Sequence, residues 1–141
     1  MPEDYGVTIN RDIIKGLKMA SIIIISGENK GEFLPLGKRT SVIGRDEALS
    51  LQILDHQVSR KHLRIYFEKA TGKYYAEDMK SKHGVFINRS KISEDTILSD
   101  GDEILIGTTT LLFTDEDFDD RESALSHYKK RGERARQTRV D

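Results

Sequence analysis

Four short polar clusters between Ser41 and Phe113 are built from the residue types that hold a phosphate dianion. They are Gly44-Arg45, Ser59-Arg60-Lys61-His62, Ser81-Lys82-His83-Gly84 with Asn88 shortly after, and Asp100-Gly101-Asp102 ahead of Ile104 and Ile106. A guanidinium such as that of Arg45 offers phosphate two parallel hydrogen bonds from a planar fork. The hydroxyl, guanidinium and ammonium of Ser59, Arg60 and Lys61 add several charge-assisted donors within one short segment. Each cluster also has a plain reading. Arg45 alone is a surface arginine after a strand-end glycine, His62 a structural hydrogen-bonder, and Asn88 a turn-former before the Arg89-Ser90 bend.

A hydrolytic reading uses some of the same residues. Ser59, His62 and Asp78 supply the types of a catalytic triad, and Asp55-His56 is a further acid–imidazole pair. No G-x-S-x-G elbow, H-E-x-x-H helix or P-loop accompanies them. The absence of cysteine removes disulfides, thiolate zinc sites and a cysteine nucleophile together. No catalytic residue, metal site or cofactor is therefore expected.

The elements that must position these clusters read as strands. From Ala20 onward, runs rich in Ile, Val, Tyr and Phe alternate with turn residues. Strands are expected over 20–26, 33–36, 41–44, 51–54, 62–68, 73–78, 85–87, 91–92, 103–106 and 110–114. Lys69–Gly72 reads as a hairpin turn, and Ser26–Gly31 as a second turn. With Leu63, Ile65 and Phe67 facing inward, His62 shares the outward parity of Arg64 and Tyr66. Many short strands favour a β-sandwich over a parallel βαβ fold.

The 141 residues allow one domain of ordinary size with an extension at either end: an arm over 1–19, a sandwich over 20–114 and a tail over 115–141. In the arm, Ile13, Ile14 and Leu17 have the spacing of one short helical face. The tail runs from acidic Asp115–Asp120 to a basic stretch of seven cations and three acids from Arg121 onward, and is expected to be disordered or a short helix. The net charge of −1 gives no general attraction to nucleic acid, and the basic tail holds Tyr128 as its only stacking residue. Ile22–Ile25, the longest apolar run, is far too short to span a bilayer, and the first residues lack the features of a secretory signal. A cytoplasmic protein is the expectation.

The ordered clusters, spaced between strands over 20–114, resemble a forkhead-associated (FHA) domain. That resemblance implies an FHA/SMAD-like, two-sheet all-β sandwich of about ten or eleven mostly antiparallel strands. It also implies a module that binds phosphothreonine peptides in Ser/Thr-kinase signalling and has no catalysis of its own. Its implied partners are a phosphothreonine-containing protein and an upstream Ser/Thr kinase, with no membrane. By the same resemblance Arg45 and Ser59 are the principal phosphate ligands, and Arg60 and Lys82 add charge. Ser81, His83 and Asn88 reach the peptide, while Gly44, His62 and Gly84 support the site. The family's preference for phosphothreonine over phosphoserine comes from one packed methyl, of order 1 kcal/mol. His83 stands where the family usually has asparagine, and Lys82 where a hydroxyl is common. Neutral imidazole retains a donor and an acceptor, so His83 could serve the peptide backbone with a pH dependence near neutrality. Thr8 is placed like a switch threonine of small bacterial FHA proteins, without the acidic flank expected there. The alternatives are an interaction domain independent of phosphate and a nucleic-acid contact through the basic tail.

Overall fold

The computed structural model describes residues 20–115. The expectations for the arm, including Thr8, and for the tail beyond Asp115 lie outside the described residues. Eleven strands fill the described chain: β1 Ser21–Ile24, β2 Phe33–Pro35, β3 Ser41–Gly44, β4 Leu51–Gln52, β5 Leu63–Glu68, β6 Lys73–Asp78, β7 Val85–Ile87, β8 Ser90–Lys91, β9 Thr96–Ile97, β10 Glu103–Ile106 and β11 Thr109–Thr114. They form two sheets, ordered β2-β1-β11-β10-β7-β8 and β4-β3-β5-β6-β9. All pairings are antiparallel except the short β3–β4 pair, where Ile43 lies opposite Leu51. Among the described residues no helix is long and apolar enough to cross a membrane.

The period-2 pattern sends alternate side chains of both sheets into one core, where Ile22, Ile24, Ile43, Leu63, Ile65, Ile104, Ile106 and Leu111 are fully buried. Tyr74 brings a polar tip into that core, and its hydroxyl donates to the Gly37 carbonyl at 2.7 Å. The continuous run at Ile22–Ile25 is buried on both faces, because Ile23 and Ile25 join Leu112 and Phe33 in a second cluster.

The sequence-based strands miss β9, whose two residues carry no readable alternation, and place β8 one residue late. His62 departs from its expected parity. It is fully buried, because it precedes β5 and the loop before the strand turns its ring beneath the neighbouring segments.

The antiparallel pairings decide where the polar clusters lie. The end of β3 adjoins the start of β5, with Ile43 opposite Leu63, and Leu63 in turn faces Asp78 at the end of β6. The start of β7 adjoins the end of β10, with Val85 opposite Ile106. The β3–β5 connection over 45–62 (which carries β4), the loop 79–84 and the β10–β11 turn therefore share one end of the sandwich.

Candidate functional site

Gly44 brings the first two loops together. A Cβ there would stand 2.2 Å from the Arg60 carbonyl oxygen and 2.9 Å from that of Ser59, so only glycine permits this approach. The Arg45 amide donates to Ser59 O at 3.0 Å and its Nε to Val58 O at 3.0 Å. The side chain is thereby aimed, exposed, with its terminal guanidinium nitrogens free of partners among the described residues. Gly44→Ala is expected to force the Arg45 and Ser59 segments apart. The melting temperature should fall in that variant, and a wild-type melting curve would refute the close approach.

His62 ties the second loop to the third. Nδ1 accepts from the Ser59 amide at 3.0 Å, so Nε2 carries the proton and donates to Gly84 O at 2.7 Å. Its own backbone is held by Ile43 O and the Met79 amide. Burial of the ring pushes its pKa below the ordinary 6.5. Both nitrogens are engaged and neither faces the Ser59 hydroxyl. Asp78 accepts instead from the Ser81 amide. The three triad residue types are thus not wired as a relay.

Ser59 is the meeting point. Its Oγ accepts from the Lys82 amide at 3.0 Å, which leaves the hydroxyl proton to donate elsewhere. The Lys82 and His83 side chains are exposed and unpaired among the described residues. Ser81 shapes the loop: its Oγ accepts from the Gly84 amide at 2.9 Å. Arg60 is exposed and pairs loosely with Asp46 at 3.5 Å. The Ala48 amide, aided by Arg60 and Lys61, holds the Asp46 carboxyl below its usual range against the opposing effect of burial. Arg45, Ser59 and Lys82 therefore present a guanidinium, a hydroxyl and an ammonium on adjoining segments.

Asn88 is not brought to this group. It lies past the other end of β7, four residues or ~13 Å from Gly84. Both ends of its amide are engaged there, donating to Asp102 Oδ1 and accepting from the Glu103 amide. It occupies a turn with Arg89, both at positive φ (49° and 74°), and serves the turn beside Asp100-Gly101-Asp102.

The support that the clusters do not reveal is Asp55. Its Oδ2 accepts from the Thr108 amide and from the Thr108 and Thr109 hydroxyls, all at 2.8 Å. Its Oδ1 accepts from the Gln57 amide at 2.9 Å. Asn29 Oδ1 also accepts from the Leu54 amide at 2.8 Å. The segment leading to Ser59 is thus latched to the opposite sheet at two points. Burial alone would raise the Asp55 carboxyl, but these hydrogen bonds outweigh it and lower the pKa from 3.8 to about 2. Stability from this latch is complete above pH 3.8 and is lost as pH falls through about 2. Asp55→Asn, which removes the charge and leaves one acceptor oxygen in place of two, should cost roughly 1–3 kcal/mol in urea denaturation. It should also flatten the acid arm of the stability curve, and an unchanged acid arm would refute the latch.

Comparison with known proteins matches the FHA domain family model to residues 41–107. The chain is 31% identical over 102 residues to an oxoglutarate dehydrogenase inhibitor from Corynebacterium jeikeium, covering 71% of this chain and 69% of that protein. The chain belongs to the FHA-domain family. The glycogen accumulation regulator GarA from Mycolicibacterium smegmatis is a second relative, 30% identical over 71% of this chain and 63% of its own length. The FHA chain therefore spans about two thirds of the length of these two relatives. In structure it is similar to an FHA domain solved in a study of phosphothreonine-dependent interactions. That likeness has a TM-score of 0.62 at 22% identity, and covers 71% of this chain and 99% of the other.

Proposed function

We propose that this protein is a phosphothreonine-dependent binding module of Ser/Thr-kinase signalling, working in the cytoplasm without catalysis of its own. Residues 20–114 form the binding unit in this reading. Arg45 and Ser59 hold the phosphate, Lys82 and Arg60 add positive charge, and His83 meets the peptide backbone beside it. Gly44, His62, Ser81 and Gly84 shape the loops. Asn88 is left out because its amide is spent on Asp102 and Glu103.

One observation carries the reading. Ser59 is bonded on one side to the Arg45 backbone and on the other, through its hydroxyl, to the Lys82 amide. Two unpaired cations thus flank a hydroxyl whose proton is free to donate, an arrangement suited to a dianion. Family membership supports the phosphothreonine assignment. His62, buried with both nitrogens occupied, supports a site that binds without turning over its ligand.

An oriented phosphothreonine peptide library, run beside a matched unphosphorylated library, tests the reading. Selective capture of phosphorylated peptides is the expected result. Equal capture from both libraries would replace it with phosphate-independent interaction.

A further inference from the structure

A cation from the neighbouring β7–β8 hairpin, seven residues after Gly84, is laid against the third loop. Lys91 lies on β8, the outermost strand of its sheet, directly opposite Phe86 of β7. Its side chain crosses Gly84: a Cβ built on that glycine would stand 2.7 Å from the Lys91 Cε and 3.4 Å from its Nζ. Gly84 has a φ of +89°, so the lysine stem occupies the space that the missing side chain leaves. Gly84 is itself anchored to His62, and the Lys82 amide to the Ser59 hydroxyl. The Lys91 stem therefore lies beside the loop that carries Lys82 and His83. It is exposed, with no carboxylate partner among the described residues.

Lysine on an edge strand also discourages pairing with another chain. That role needs no particular direction of the side chain, whereas here the stem is laid toward the loop that carries Lys82 and His83. We propose that Lys91 is a specificity-determining residue of the phosphopeptide site. It selects peptides with an aspartate or glutamate beside the phosphothreonine, on the side of the Ser81–Gly84 loop. The inference rests on the phosphothreonine reading above and adds the acidic character of the partner. An exposed pair of this kind changes affinity about two- to fivefold and weakens with salt.

The test is fluorescence anisotropy with phosphothreonine peptides in an alanine background, a single Glu or Lys being walked through the flanking positions. Wild type should favour Glu over Lys at one position by about two- to fivefold. Lys91→Gln should flatten the preference at that position, and Lys91→Glu should reverse it, with the ratios at other positions unchanged. Circular dichroism melts should superimpose for all three proteins, since the residue is exposed. An identical positional profile in the three proteins would overturn the role of Lys91 alone. Failure of wild type to bind the all-alanine phosphothreonine peptide would overturn the phosphothreonine reading with it.

Discussion

Arg45→Ala is expected to lower affinity for a phosphothreonine peptide several-fold to more than a hundredfold while the sandwich stays folded. The guanidinium is exposed, and only its Nε is used internally, on Val58 O. Its remaining nitrogens can give a dianion two bonds, and hydrogen bonds to charged groups are worth about 1.5–3 kcal/mol each. Arg45→Lys should recover part of the loss, since charge is restored without the planar fork. Ser59→Ala should cost less at the phosphate, because one neutral donor is removed. It also frees the Lys82 amide, so loosening of residues 81–84 should accompany it. Titration calorimetry checks the series, and wild-type affinity in Arg45→Ala would remove Arg45 from the site.

The second large effect is on stability. His62→Ala strips the Ser59 amide and the Gly84 carbonyl of their partners in a fully buried position. Each unsatisfied group costs about 1–3 kcal/mol, so a total of roughly 2–6 kcal/mol is expected. The ring also makes stability depend on pH. Folding holds it neutral with a lowered pKa, whereas the unfolded chain takes up a proton at the ordinary 6.5. The unfolded state therefore binds more protons below that value, and stability falls as pH drops through it. Melting temperatures measured from about pH 8 to about pH 5 should decline more in wild type than in His62→Gln. An unchanged melting temperature in His62→Ala together with lost peptide binding would make the histidine a ligand rather than a support.

How far the sequence carried this result depends on the scale of each feature. The β-texture and most strand positions are legible because alternating apolar residues such as Leu63 and Ile65 report one buried face. β9 is not, since its pairing of Thr96 with Ala76 is tertiary and leaves no periodic trace. Within the proposed site, residue type and order single out Arg45, Ser59 and Lys82, which the structure brings onto adjoining segments. The fully buried His62 broke the expected parity because loop geometry, rather than the β5 pleat, sets its direction. Asn88 follows the 85–87 strand and so falls at the opposite end from Gly84, but its engagement with Asp102 and Glu103 is tertiary and leaves no trace in the local sequence. The latching role of Asp55 had no sequence signal, although the residue stands out there beside His56: its partners Thr108 and Thr109 lie more than fifty residues away and meet it only once the sheets pack.

The most direct measurement is a titration of isotopically labelled protein with a phosphothreonine peptide and with its unphosphorylated twin, followed by amide NMR shifts. The phosphorylated peptide is expected to move the amides of Arg45, Ser59 and Lys82 most, with the far turn at Asn88 and Asp102 still. The unphosphorylated twin should move none of them. Equal shifts with both peptides, or shifts centred on the Asn88 end of the sandwich, would contradict a phosphate site built on Gly44-Arg45, Ser59 and Lys82.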